Sequence, residues 1–239
     1  DLPSFYIDFE GQHSKMNNYR SSARDTQVEI EKLKAQNIDA LVVDLRNNGG
    51  GSLTESIKVA GLFFDKGPVV QIKESDGSTY PHADTDGKTY YDGPLLVLIS
   101  RQSASASEIF AGAIQDYGRG LIVGDDHTFG KGTVQNLNDI GAKLGATKVT
   151  ISKFFRPSGS STQLKGVESD ISFPSLMGEL EVGEKHYDYA LEWEKIKSSA
   201  YKDFNKTKAY VEKLKTLSGE RTKTDTLFKK IGEDIAEYR

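Results

Sequence analysis

Between residues 38 and 155 the chain alternates short apolar runs with longer stretches whose apolar residues recur every three or four positions. Runs bounded by turn residues suit strands buried on both faces, and the wider spacing suits helices with one apolar side. Strands are therefore expected in IDALVVDLR (apolar at 38–43), PVVQIKES (68–75), GPLLVLIS (93–100), GLIVGDD (120–126) and TKVTISKFF (147–155). Helices are expected from Asp25 through VEIEKLKAQ, over TESIKVAGLFF (54–64), and over SEIFAGAIQDYG, where Ile109, Phe110, Ala113, Ile114 and Tyr117 share a side. Asp76-Gly77 suits the tight turn of a hairpin. Residues 1–25 read as a short extended piece followed by a polar loop. The alternation predicts a layered α/β core.

From about Gly183 the pattern changes. Residues 184–239 are rich in Lys and Glu, with Trp193, Tyr201, Phe204, Tyr210, Leu214, Leu227 and Ile231 at helix-compatible intervals. This predicts a core over 1–182 and a helical C-terminal appendage over 183–239, broken into separate helices at SGER (218–221). A charged fraction of 28% against 36% hydrophobic is that of a globular protein with a well-solvated surface. A net charge of −4 gives no electrostatic case for nucleic acid or an anionic membrane. No apolar run approaches the roughly 18 residues of a spanning helix, and DLPSFYIDFE lacks the basic start and apolar stretch of a secretory signal. Without cysteine the chain has no disulfide, thiolate nucleophile or cysteine metal site.

Candidate chemistry lies in three segments. In SASASEIFAG (103–112) small residues lead into a helix, so Ser105 sits where free N–H groups and the helix dipole favour developing negative charge. Ser105-x-x-Glu108 also fits an ordinary capping box. In TFGKGTVQ (128–135) Lys131 stands between two glycines, where it is either a surface lysine on a turn or a placed amine. The spacing from Gly124 to Gly130, and Gly132 after the lysine, exclude a phosphate loop. In DLRNNGGGS (44–52) three glycines permit positive φ and expose backbone N–H groups, as an oxyanion site requires and as a plain strand-to-helix turn also allows. Of the histidines, His13 and His82 fall in expected polar loops and His186 at the start of the tail. His127, beside Asp125 and Asp126, is the one that could form a triad with Ser105. No two histidines stand at metal-ligand spacing.

Together, DLRNNGGG, SASASEIFAGAIQDYGRGLIVG and TFGKGTVQ closely resemble the tail-specific protease (C-terminal processing peptidase) family of Ser–Lys endopeptidases, in its bacterial periplasmic branch. The likeness continues through KFFRPSGSSTQLKGVESDI (153–171) and GEKHYDYALEWEKI (183–196), spanning most of residues 40–196. It implies a crotonase-like layered α/β protease core. Ser105 then matches the nucleophile, Lys131 the general base, and Gln135 the residue that orients the lysine amine. Gly51 and Ala106 match the oxyanion donors, and Asp116 an acidic position read as supporting structure. The resemblance implies no cofactor or metal, polypeptide substrates with apolar C-termini, a periplasmic location, and an upstream PDZ module that nothing in residues 1–40 resembles.

Two local departures bear on the site. GDDHTFGK is one residue longer than the family's usual spacing, which puts the aim of Lys131 at stake, and Ser169 stands where the family often has proline. A lysine base must be neutral; from an ordinary pKa near 10.4, holding it so at pH 7 costs about 4.6 kcal/mol. Burial has to supply that shift, and Asp125 and Asp126 must point away. Two rival functions share the pattern. A crotonase-like acyl-CoA enzyme would not need Ser105, Lys131 and Gln135 together, and a non-catalytic peptide-binding scaffold would use the tail as its interaction surface.

Overall fold

The computed structural model describes residues 1–16, 18–141 and 144–239. The elements are α1 (Phe9–His13), α2 (Ser22–Lys34), β1 (Leu41–Asp44), α3 (Leu53–Gly61), β2 (Gly67–Lys73), β3 (Thr79–Asp84), β4 (Leu95–Ile99), α4 (Ala106–Asp116), β5 (Leu121–Gly124), β6 (Thr133–Asp139), β7 (Ala146–Phe155), β8 (Ile171–Ser172), α5 (Val211–Thr224) and α6 (Thr226–Tyr238). They form an α/β fold with two four-stranded sheets, one parallel in the order β1-β4-β5-β8, the other antiparallel in the order β3-β2-β7-β6.

The apolar runs become strands, and burial on both faces is approached in β4 and β5 but not in β1 and β7, where Val42, Val149 and Ile151 are exposed. Val97 and Ile99 of β4 and Ile122 of β5 are fully buried, and α4 packs against β5 with Phe110, Ala111, Ala113 and Ile114 inaccessible. Phe110 meets Phe5 and Phe63 at ring distances of 6.2 and 5.8 Å, which joins the N-terminal segment and α3 to the same core. Arg119 is also buried. It has no carboxylate partner among the described residues and instead donates to the carbonyls of Phe63, Gly93 and Tyr91 at 2.7–3.0 Å.

Parallel pairing brings the carboxyl ends of β1 and β4 side by side, the position at which open α/β sheets hold ligands. Here the glycine turn and the SASAS turn are stitched together. Ser103 Oγ donates to Leu45 O at 2.7 Å, Ser107 Oγ to Asn48 O at 2.8 Å, and Ala104 N–H to Asn48 O at 3.2 Å.

Three expectations need correction. Residues 184–210 are not helical beyond a short turn at Glu184–His186; they run over the core as an extended strap. Ser161 N–H donates to Glu194 O, Ile196 N–H to Gly159 O, and Phe204 N–H to Tyr117 O. Trp193 and Tyr201 have helix-compatible spacing, yet they serve different parts of the surface: Trp193 caps the 161–165 loop, and Tyr201 packs on Tyr117 with Phe204. SGER lies inside α5, and the break falls at Asp225, whose carboxylate caps α6 by accepting from Leu227 and Phe228 N–H. Finally, His82 sits on β3 rather than in a loop. Among the described residues no helix is long and apolar enough to cross a membrane.

Candidate active site

Ser105 occupies the turn from β4 into α4 with φ 57° and ψ −112°. A side chain in this region strains the backbone by an order of 1–3 kcal/mol and persists only where the surroundings impose it. Gly50, at φ 109°, makes room: a Cβ there would lie 2.9 Å from Ser105 Cβ and 3.1 Å from Ala106 N. Gly51 follows at φ 140°, where a Cβ would meet Phe5 O at 2.4 Å. Glycine is therefore required at both positions. The amides of Gly51 and Ala106 donate to no acceptor among the described residues, and Ala106 opens α4, where N–H groups have no intrahelical partner.

Lys131 lies at the foot of the β6–β7 hairpin, half-buried. Its Nζ donates to Gln135 Oε1 at 3.0 Å, and Gln135 Nε2 reaches Thr150 Oγ1 at 3.4 Å. The two residues are joined along a strand; β7 carries an extra residue, Ile151, opposite the Val134–Gln135 step, and such bulges re-aim side chains. Burial pushes the Lys131 amine below the ordinary lysine range, with help from the Lys148 charge, while Glu184 and Glu108 oppose the shift. A neutral amide oxygen holds the amine without adding a charge that would favour the ammonium.

Glu108 connects the two candidates, which sequence reasoning saw only as a capping residue. Its carboxylate is fully buried and accepts four hydrogen bonds. Oε2 takes the Ser105 and Lys131 N–H groups at 2.8 and 3.0 Å; Oε1 takes Thr128 Oγ1–H and Gly130 N–H at 2.6 and 2.7 Å. Because one oxygen binds both amides, the main-chain nitrogens of Ser105 and Lys131 lie less than about 6 Å apart. Burial pushes the Glu108 carboxyl up to about 7 against the pull of these four donors. The capping-box spacing was a visible signal; the reach across 20 to 23 residues was not.

The aspartates and His127 take no part in this cluster. Asp125 accepts from Arg101 N–H at 2.8 Å, and Asp126 forms a two-pronged pair with the Arg101 guanidinium at 2.8 and 2.9 Å. His127 contacts the Thr128 carbonyl through Nδ1, with Nε2 3.9 Å from Asp126; no contact with Ser105 is formed. Ser169 donates its N–H to Asp126 O at 3.0 Å and its hydroxyl to Asp125 O. Proline could supply neither donor. From Thr128 onward Glu108 fixes the lysine loop, through Thr128 Oγ1–H and the Gly130 and Lys131 N–H groups. Asp116, at the far end of α4, pairs with Arg156 and accepts Ser158 N–H at 2.9 Å. His13 ends α1 and His186 lies in the turn that opens the strap. No group of three or more His, Asp or Glu side chains that could hold a metal occurs among the described residues.

Comparison with known proteins agrees with the layout. Residues 6–173 match peptidase family S41, and residues 177–239 match the C-terminal domain of tail specific protease. The Tail-specific protease of Haemophilus influenzae is 45% identical over 207 residues, covering 84% of this chain and 28% of that protein. Carboxyl-terminal-processing peptidase 2 of Arabidopsis thaliana, chloroplastic, is 38% identical over 66% of this chain and 30% of its own length. Among solved structures, the photosystem II D1 C-terminal processing protease aligns with TM-score 0.56 and 36% identity, over 64% of this chain and 39% of that one. Mature CPAF aligns with TM-score 0.56 at 16% identity, over 94% of this chain and 51% of that one, a likeness of fold alone. The fold is that of an S41 peptidase, with helices at the C-terminal end. The chain belongs to peptidase family S41, among its tail-specific, or C-terminal processing, serine proteases. It spans less than a third of the length of these two curated relatives.

Proposed function

We propose that this chain carries the catalytic centre of a serine endopeptidase in which Ser105 is the nucleophile and Lys131 the general base. The observation that carries the reading is the single buried carboxylate of Glu108, which fixes the Ser105 and Lys131 amides together while Gln135 holds a desolvated lysine amine. Lys131, neutral, takes the Ser105 hydroxyl proton as Oγ bonds to the scissile carbonyl carbon. The resulting oxyanion accepts from the free Gly51 and Ala106 N–H groups. Collapse breaks the C–N bond, the Lys131 ammonium protonates the leaving amine, and an ester remains on Ser105. Water then attacks the ester, giving its proton to Lys131; collapse breaks the bond to Ser105 Oγ, the Lys131 ammonium returns the proton to Oγ, and the carboxylic acid departs.

The core, 1–182, is the peptidase unit, and 183–239 a C-terminal appendage strapped onto it. The tail-specific names of the family match and of the Haemophilus relative support a polypeptide substrate engaged near its C-terminus; an apolar C-terminus, an upstream PDZ module and a bacterial periplasm are what the resemblance adds to the proposal. No cofactor enters the route.

The test is cleavage of an unfolded polypeptide by the chain beside its Ser105→Ala, Lys131→Ala and His127→Ala variants, with Ser105 acylation by a fluorophosphonate as a second readout. Loss in the first two variants with retention in the third upholds the proposal. Activity that survives Lys131→Ala but disappears with His127→Ala moves the base to histidine. Binding of polypeptide with neither cleavage nor acylation marks a non-catalytic scaffold.

A further inference from the structure

Glu108 holds the lysine loop from one side, and a second loop, residues 161–166 between β7 and β8, holds it from the other. Each main-chain N–H and C=O of Gly130, Lys131 and Gly132 is taken. Glu108 accepts the first two N–H groups, and Phe154 N–H donates to Gly132 O at 2.9 Å. The remaining groups go to consecutive residues of the 161–166 loop. Leu164 N–H donates to Gly130 O at 2.7 Å, Thr162 Oγ1–H donates to Lys131 O at 2.7 Å, and Gln163 Oε1 accepts Gly132 N–H at 2.8 Å. Main-chain groups buried this way must keep partners, so these bonds set the direction in which the Lys131 side chain leaves the loop. The close approach also accounts for the glycines on either side of the lysine. A Cβ on Gly130 would lie 3.0 Å from Leu164 C, and one on Gly132 2.8 Å from Ser161 Oγ and 2.9 Å from Gln163 Cβ.

The second loop is itself buried and strained. Thr162 and Gln163 are inaccessible, and Leu164 has φ 65°, an outlier for a bulky side chain. Such strain persists only where neighbours impose it. The Gln163 amide is held at both ends: while Oε1 accepts from Gly132, Nε2 donates to Glu184 Oε1 at 3.3 Å. An ionised carboxylate only accepts, so turning the amide over would set donor against donor at Gly132 and acceptor against acceptor at Glu184. Glu184 belongs to the strap, which also grips Ser161: Trp193 Nε1–H donates to Ser161 O at 2.9 Å, and Ser161 N–H to Glu194 O at 3.1 Å.

We infer that Thr162 and Gln163 are positioning residues for the peptidase reaction. They form the second half of a clamp whose first half is Glu108, and they set the aim of the Lys131 amine through the main chain of Lys131 and Gly132. Glu184 keeps the Gln163 amide in its working orientation, so the C-terminal appendage takes part in the placement of the lysine. The inference rests on the reading of Lys131 as the base.

The test follows kcat, KM and the rate of Ser105 acylation by a fluorophosphonate across pH, in the full chain and in variants shown by melts to be folded. Gln163→Met and Thr162→Val keep the side-chain shape and remove the bonds to the lysine loop. Displacing a reacting group by about 1 Å costs about 100-fold in rate. Both variants should therefore lose at least about tenfold in kcat and acylation on the high-pH plateau, with KM within about threefold. Reading the plateau sets aside any change in the Lys131 pKa, so the loss reports aim rather than charge. Thr162→Ser keeps the hydroxyl and should recover what Thr162→Val loses. Gln163→Glu should be impaired by the carboxylate it opposes at residue 184, and the double variant Gln163→Glu/Glu184→Gln, which exchanges the two groups, should recover. Should a buried substitution prevent folding, this exchange decides: recovery upholds the inference, and no recovery overturns it. Lys131→Ala is measured alongside. Activity retained there refutes the base reading itself. Activity lost there but kept within about threefold in folded Gln163→Met and Thr162→Val overturns this inference alone, as does a rise in KM with kcat unchanged.

Discussion

Replacing Glu108 by glutamine separates stability from function in this site. The side chain keeps its shape, but one of its two oxygens becomes an NH₂ group. Whichever end that group takes, it faces two of the four donors now satisfied: either Ser105 and Lys131 N–H, or Thr128 Oγ1–H and Gly130 N–H. Two buried donors without an acceptor cost about 2–6 kcal/mol, at about 1–3 each. Against this, glutamine no longer buries a charge. The carboxyl is raised from 4.5 to about 7, so at pH 8 its ionisation costs the wild-type fold about 3.4 kcal/mol, at 1.36 per unit. The two effects nearly cancel. At pH 8 the net change in unfolding free energy should stay within about 3 kcal/mol. Activity has no such compensation, because the variant still loses the common anchor; a misplacement near 1 Å lowers the rate by about 100-fold. The pH dependence follows from the sign of the shift. A raised carboxyl pKa stabilises the fold fully below 4.5, and that contribution disappears as pH rises through about 7. Urea unfolding should therefore show the wild type losing stability relative to Glu108→Gln between pH 4.5 and 7. The assays are kcat/KM on an unfolded polypeptide, the rate of Ser105 acylation, and urea melts at pH 5 and 8. Acylation within threefold of wild type in a folded Glu108→Gln protein would refute the shared-anchor reasoning.

Other consequences are equally direct. Activity should rise with pH as Lys131 loses its proton, with a midpoint below the ordinary lysine value of 10.5; Glu184→Gln should move that limb to lower pH and Lys148→Gln to higher, read from pH–rate profiles. Gly50→Ala should abolish acylation while leaving the far end of α4 folded, because the new methyl meets Ala104 O at 2.8 Å and Ser105 Cβ at 2.9 Å. A hydrogen-exchange comparison with the wild type would locate the damage. Arg119→Lys removes the fork that serves three carbonyls, and a chemical melt should show a loss of about 2–6 kcal/mol, at about 1–3 for each of two carbonyls left without a donor.

The parallel sheet and α4 were legible because their apolar spacing is dictated by burial on known faces, and the hairpin because Asp76-Gly77 fits one turn chemistry. Strand β6 was hidden: Thr133–Asp139 is largely polar, with exposed Leu137, so its pairing with β7 rests on main-chain bonds rather than an apolar pattern. The strap was misread as helix because the spacing of Trp193, Tyr201 and Phe204 says nothing of what each touches. Main-chain bonds to the 156–161 turn and to Tyr117 decided its conformation. In the site, Ser105, Lys131 and the glycines drew attention by residue type and neighbours. The bonds from Glu108 to the lysine loop, and those from Ser169 to the longer loop, depend on segments that meet only after folding.

The strap has a mechanical consequence. It leaves the lysine loop at Glu184, whose N–H donates to Phe129 O, and ties down at the other end of α4, where Phe204 and Lys206 N–H groups donate to Tyr117 O and Gly118 O. Glu108 already closes the opposite side, joining the start of α4 to the same loop. Helix, carboxylate, loop and strap therefore form a closed circuit of main chain and hydrogen bonds with Ser105 and Lys131 on its perimeter. The C-terminal helices have anchors of their own, α5 on β8 and Arg239 at the end of α6 on Glu179, so a load on them is divided between these contacts and the strap at Lys206. The strap is thus a tie between the lysine loop and the far end of α4 as well as a cover, and it reaches both without touching Ser105 or Lys131.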